Sequence, residues 1–337
     1  MIATVVGCVL LAVITAYATF GGADFGAGFW NLLAGGDVAG QRPRKLIEDS
    51  ITPVWESNHV WLIFALVLFW TGYPKAFSAV MSADAVPLWL AALGIVLRGA
   101  AFAFSKETLG LGGRRALGAT FALSSVLTPF FMGCVVGGIA TGAVQADATS
   151  SDPASWTSAT SILCGILFVG ACAYLAAVYL VWEAGRRHDL ELQTYFVHRA
   201  QVAGTATGLV SVATLVHLRD ANGLLFDRLT GRALPLVILA GVCGVLALGM
   251  LITRRLRGLR EVAWLGVAAV VWGWGIAQYP TMLPGTSLTI SNGAPTATLD
   301  TLVVLAVFAF VVVTPSFLLL FWLHGRQLLT SDESEPT

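Results

Sequence analysis

The chain has 337 residues, of which 57% are hydrophobic and 11% charged, with a mean hydropathy of +0.80 and zero formal net charge. Soluble domains carry about 25% charged residues, so this composition excludes an ordinary soluble enzyme and points to an integral membrane protein. A neutral balance offers no electrostatic footprint for nucleic acid, and none is expected as a partner.

Crossing the hydrocarbon core takes about 20 apolar residues in a helix. In chain order, such runs fall at 2–34, 51–73, 80–104, 119–143, 160–182, 200–218, 234–253, 262–283 and 301–323. The first begins at residue 2 without a basic leader or a small-residue cleavage site, so it is predicted to be a retained helix. Its length predicts tilting or projection past the bilayer. The second is expected to bend near Pro74, where the backbone lacks a donor. Gly22-x-x-x-Gly26 and Gly133-x-x-x-Gly137 predict close helix approaches.

The loops carry an orientation signal. Those after the first, third, fifth and seventh runs, with the C-terminal tail, hold fourteen Lys and Arg residues, against four in the others. The positive-inside rule then places the N-terminus outside and the C-terminus in the cytoplasm. No loop is long enough for a separate soluble domain. The expected fold is an all-α integral membrane bundle of about nine transmembrane helices, one domain over residues 1–328, with 329–337 as a disordered cytoplasmic tail. Five cysteines lie inside apolar runs without a CxxC pair or a nearby ligand histidine. They are predicted to be small buried hydrophobes, with no metal site and no disulfide framework.

The informative residues are the polar ones within these runs. Charged groups in hydrocarbon cost about 2.5–3.5 kcal/mol on insertion scales, and so mark ion or proton routes or buried pairs. Asp24 stands among Gly21, Gly22, Gly26 and Gly28, which let a neighbouring helix approach and bury the acid against protein. Glu56 opens the second run in Trp55-Glu-Ser57-Asn58-His59-Val60-Trp61, and Arg98 lies about two turns from the end of the third. With alternating orientation, all three charges fall in one band on the cytoplasmic side. Glu56 and His59 share a helix face, and histidine titrates near neutrality, as a relay needs. Three readings stay open: a proton route through Asp24, Glu56 and His59 with Arg98, Asn58 and Ser57 in support; a structural ion pair with Arg98; or a site for a coupling ion or polar ligand.

Four stretches resemble subunit II of the bacterial cytochrome bd quinol oxidases, in the same order as in that family. They are Gly21-Gly-Ala-Asp-Phe-Gly26, Trp55-Glu-Ser-Asn-His-Val-Trp-Leu-Ile-Phe64 with Phe69-Trp-Thr-Gly-Tyr-Pro74, Leu93-Gly-Ile-Val-Leu-Arg-Gly-Ala-Ala-Phe102, and Gly273-Trp-Gly-Ile-Ala-Gln-Tyr-Pro280. The resemblance implies a nine-helix subunit of a respiratory oxidase in the bacterial cell membrane, reducing dioxygen to water with electrons from quinol. It implies that partner subunit I carries haem b and haem d, with no cofactor ligated by this chain and no complete active site in it. It implies an assembly role, a proton-path role for Asp24 and Glu56, and an oxygen-access or packing role for Trp61 and Trp55. A structurally bound quinone and a small single-helix accessory subunit are left open. Some family members carry an additional acid where this chain has Gly21, and some have aspartate at the position of Glu56. From a different class, a secondary transporter or ion channel with acidic proton sites also fits intramembrane charges and glycine- and proline-interrupted helices.

Overall fold

A computed structural model describes the backbone of residues 1–35, 39–51, 55–105 and 111–325, and the side chains of 1–35, 39–50, 58–104, 117–316 and 319. The chain is all-helical among these residues. The first span runs from α1 (Ile2–Ala16) through a π-helical turn (Tyr17–Gly21) into α2 (Gly22–Leu32). An amphipathic α3 (Gln41–Ile51) follows, then α4 (Trp55–Gly72), α5 (Pro74–Ala83), α6 (Ala85–Ser105) and α7 (Leu111–Thr141). A short α8 (Pro153–Thr157) leads to α9 (Ala159–Arg186), α10 (Leu190–Ala221), α11 (Gly223–Thr230), α12 (Leu234–Ile252), α13 (Leu259–Gln278) and α14 (Thr296–Gly325).

Eight of these segments are long and apolar enough to cross a membrane, and α4 with α5 makes a ninth if that bent pair counts as one span. The axis turns by 117° between Asn58–Gly72 and Pro74–Ala83. The cause is local: Pro74 starts a new helix and Tyr73 takes a non-helical φ of −137°. The bend expected at Pro74 is therefore present, but the run predicted to start at residue 80 is divided. Residues 74–83 belong to α5, and the next span begins at Ala85. The acid between them, Asp84, is fully buried and accepts from Ser155 Oγ at 2.5 Å.

The sixth run was expected at 200–218, whereas α10 starts ten residues earlier, at Leu190. Hydropathy sees only the part in hydrocarbon, while the helix itself is started by its cap. The Asp189 carboxylate accepts from the Leu192 amide at 3.0 Å, satisfying an otherwise orphan donor. That bond, helped by Arg42 at 2.8 Å, holds the Asp189 carboxyl below the usual carboxylate range.

α9 is the central helix, packed on α2, α7 and α10 and touching α13. Every residue from Cys172 to Val178 is buried, so this stretch faces protein all round. Two apolar cores meet near it. One gathers Ala27, Trp30, α9, α10 and the facing parts of α12 and α13. The other gathers α1, Phe25, Trp61, α5 and the start of α14. α2 threads the seam, contributing Phe25 to one core and Ala27 to the other. The Trp30 indole fixes it by donating to the Ala173 carbonyl at 2.7 Å.

Glycine sets the closest approaches. A Cβ on Gly26 would run into the Cys172 carbonyl and stand 2.8 Å from the Ala173 nitrogen. One on Gly133 would reach the Cys164 carbonyl at 2.5 Å, and one on Gly137 the Ser161 Cα at 2.5 Å. Both Gly-x-x-x-Gly stretches thus lie against α9. Gly26→Ala forces α2 away from α9 and is expected to destabilise by about 1–3 kcal/mol. Gly208→Ala, where nothing lies within 4 Å of the added carbon, is expected to stay within about 0.5 kcal/mol of the parent. Melting temperature and yield on size-exclusion chromatography of the purified assembly provide the check.

Candidate functional site

Three helices converge on one charged pair. Arg98 of α6 donates through Nη2 to Asp24 Oδ1 at 2.6 Å and to the Asp24 carbonyl at 2.9 Å. Its Nη1 donates to Ser125 Oγ of α7, which in turn donates to the Phe121 carbonyl at 2.5 Å. The guanidinium lies 4.3 Å from the Phe121 ring centroid and 5.2 Å from that of Phe25. The two side chains are 1% and 2% exposed, so the pair is removed from both lipid and water. Gly28 makes room for it: a Cβ there would collide with Ser125 and lie 2.8 Å from Arg98 Nη1.

A second layer connects this pair to α4. The His59 ring stands 6.2 Å from Phe25 and 6.5 Å from Tyr17, and those two rings meet edge-on at 6.4 Å. The start of α4 and the middle of the first span therefore lie at one level. Tyr17 opens the π-helical turn, where the Thr19 hydroxyl donates to the carbonyls of Thr15 at 2.9 Å and Ala16 at 3.0 Å. Such widened turns occur often at functional sites. The Tyr17 ring leans over Gly21, 2.9 Å from where a Cβ would stand, and so fills the space a side chain there would need.

Several polar atoms of this region are buried without a hydrogen-bond partner among the described residues: Tyr17 Oη, Asp24 Oδ2, Asn58 Oδ1 and Arg98 Nε. Asp24 thus keeps one oxygen free after binding Arg98.

The structure brings together Asp24, Arg98 and His59, and buries Asn58 to 3% exposure. Trp61, 6% exposed, packs with Phe310 of α14 at 6.0 Å. It borders an apolar groove of about 260 Å³ with Val60, Phe64, Val67, Phe310 and Val313. Trp55, Glu56 and Ser57 belong to the first turn of α4, and their side chains lie outside the described residues, as does the tail at 329–337.

Sequence reasoning missed Tyr17, Phe121 and Ser125, because tyrosine, phenylalanine and serine are ordinary in membrane helices. It also missed Glu183, which is fully buried and binds Arg186 at 2.8 Å and Arg187 at 2.9 Å. The signal was there, an acid three and four residues before two arginines. No set of three histidine, cysteine or acidic side chains suited to a metal ion occurs among the described residues.

Comparison with known proteins gives a consistent result. The family described as cytochrome bd terminal oxidase subunit II matches residues 2–324. A curated relative, cytochrome bd ubiquinol oxidase subunit 2 of Bacillus subtilis, is 22% identical over 283 residues, covering 81% of this chain and 80% of its own. A chain in the structure of bd oxidase from Geobacillus thermodenitrificans matches with a TM-score of 0.73 at 22% identity, covering 99% of this chain and 100% of that one.

Removing one member of a buried pair strands the other. Arg98→Gln is expected to destabilise by about 3–5 kcal/mol, and Asp24→Leu with Arg98→Met to recover most of that loss. Melting temperatures of the three purified assemblies test the pattern.

Proposed function

The chain belongs to the cytochrome bd terminal oxidase subunit II family, and from that premise we propose that it gives protons, and dioxygen, access to the haems of its partner subunit I. It is one subunit of a respiratory oxidase complex and a multi-pass protein of the bacterial plasma membrane. In the proposed division of labour, subunit I holds haem b and haem d, which supply electron transfer and dioxygen reduction. This chain supports assembly and conducts protons from the cytoplasm. The excess of arginine and lysine in alternate loops supports an N-terminus outside and a cytoplasmic C-terminus.

The observation that carries the proton reading is Asp24 itself. It is an acid sealed inside the bundle, with one oxygen committed to Arg98 and the other open. Buried polar atoms are ordinarily satisfied by protein or by ordered water. The unpartnered atoms of Tyr17, Asp24 and Asn58 therefore suit an internally hydrated route. Glu56, one turn before His59 on α4, is the proposed entry, and His59 a carrier between it and Asp24. The fixed charge of Arg98 keeps Asp24 from being stranded as a lone anion in low dielectric. Dioxygen is apolar, and the groove beside Trp61 offers it an apolar approach.

The Asp24–Arg98 bond itself favours a second reading, in which the pair is a packing clasp and nothing more. The transporter alternative has no comparable support once the match spans 2–324. Glu56→Gln distinguishes the two readings while leaving Asp24 and Arg98 themselves unchanged. General acid–base steps contribute about 10²–10⁴-fold, and Glu56→Gln is expected to slow quinol-driven oxygen uptake at least about a hundredfold, the lower end of that scale. Haem d absorption per complex stays at the parent level. Unchanged uptake at equal haem content would leave the clasp as the surviving account.

A further inference from the structure

The turn between α12 and α13 carries Arg254, Arg255, Arg257 and Arg260 within seven residues, with Glu261 as the adjoining acid. Arg254, Arg255 and Arg257 are exposed. Four acids on neighbouring elements bind other arginines. Glu183 binds Arg186 and Arg187, Asp49 binds Arg187 at 2.9 Å, and Asp189 and Glu191 bind Arg42 at 2.8 and 2.5 Å. Glu261 meets Arg260 at 3.3 Å. Among the described residues, no carboxylate pairs with Arg254, Arg255 or Arg257. Arg254 reaches the Thr194 hydroxyl at 3.5 Å.

The turn is also held in shape. Arg254 takes a left-handed backbone, φ 56°, which is uncommon for a residue with a side chain. Arg260 is fixed between two indoles, 4.6 Å from the Trp182 centroid and 4.9 Å from that of Trp264. Indoles mark the level where acyl chains give way to headgroups. At the same end of these helices, Ile252 is 70% exposed and Leu265 49% exposed on the outside of the bundle. Uncompensated guanidinium groups thus stand beside outward apolar side chains. A ligand that satisfies both has an anionic head and aliphatic tails.

We propose that the α12–α13 turn is a binding site for an anionic phospholipid, its phosphate held by Arg254, Arg255 and Arg257 and its acyl chains lying along Ile252 and Leu265. The cationic groups near the turn do two different jobs. Arg186 and Arg187 are paired with Glu183 and Asp49, whereas the turn keeps a surplus of positive charge that basic sites at helix ends use to hold lipid headgroups.

The test uses the intact oxidase complex in mild detergent, titrated with dioleoylphosphatidylglycerol and followed by native mass spectrometry. Each guanidinium removed is expected to weaken retention about fivefold, so Arg254→Gln with Arg257→Gln lowers it roughly 25-fold. Dioleoylphosphatidylcholine, run in parallel, binds the parent complex more weakly and is unaffected by the substitutions. Inorganic phosphate added with the lipid leaves the phosphatidylglycerol adducts in place. Glu261→Gln, which removes the carboxylate beside Arg260 and leaves every arginine in place, raises phosphatidylglycerol retention and serves if the double variant fails to assemble. Equal retention of the two lipids, no response to either variant, or displacement by inorganic phosphate would each overturn the proposal.

Discussion

The ion pair between Asp24 and Arg98 constrains more of this molecule than any other contact. Two charges taken out of water are costly, and their attraction offsets that cost only with good geometry and further hydrogen bonds. The protein supplies both. One amino group of Arg98 spans the Asp24 carboxylate and carbonyl, the other meets Ser125, and two phenyl rings line the guanidinium. Because the donors come from α6 and the acceptors from α2 and α7, the satisfied pair fixes three helices at one depth. It also explains the glycines. A side chain at position 28 would sit where Ser125 and Arg98 need to be.

The same economy of space governs α2 and α9. Lipid tails are as apolar as leucine, so helix association in a membrane depends on close packing and interhelical hydrogen bonds. α2 meets both conditions within five residues, through Gly26 against the backbone at Cys172 and Trp30 donating to Ala173. The acid is then carried on a helix whose position is set from both sides. A site that holds or passes a proton needs such rigidity, since hydrogen-bonded neighbours have to stay in register.

Much of this was legible in the sequence, for reasons particular to membranes. Without water, charge inside an apolar run is conspicuous, so Asp24, Arg98 and the α4 cluster could be named and set in one band before any coordinates. Alternating loop charge gave the order of spans, and Pro74 gave the bend. What hydropathy could not see were features with no hydropathy signature. The π-helical turn at Tyr17 accompanies a Thr19 hydroxyl that bonds to carbonyls within the helix. The ten-residue forward extension of α10 comes from a cap at Asp189. That Arg98 pairs with Asp24 is a matter of tertiary distance, which hydropathy does not report. Ser125 was hidden because a lone serine in a membrane helix commonly bonds to its own backbone, as it also does here with Phe121.

The charges inside and at the rim obey one rule applied at two dielectric levels. In the interior, attraction between opposite charges is strong and an unpaired ion is intolerable, so Arg98 is matched with Asp24. At the ends of the helices, water screens charge and pairing is worth little, so a surplus of arginine costs almost nothing there. Arg260 and Arg186 mark the boundary between these regimes, lying across Trp182 with their charged ends directed at the interface. Glu183 shows the boundary from the acid side: fully buried, yet one turn from solvent, it is neutralised by two arginines rather than one. Asp24 keeps an oxygen open despite its pairing with Arg98, as the buried Asp84 does beside Ser155, and such open oxygens are what function has to account for.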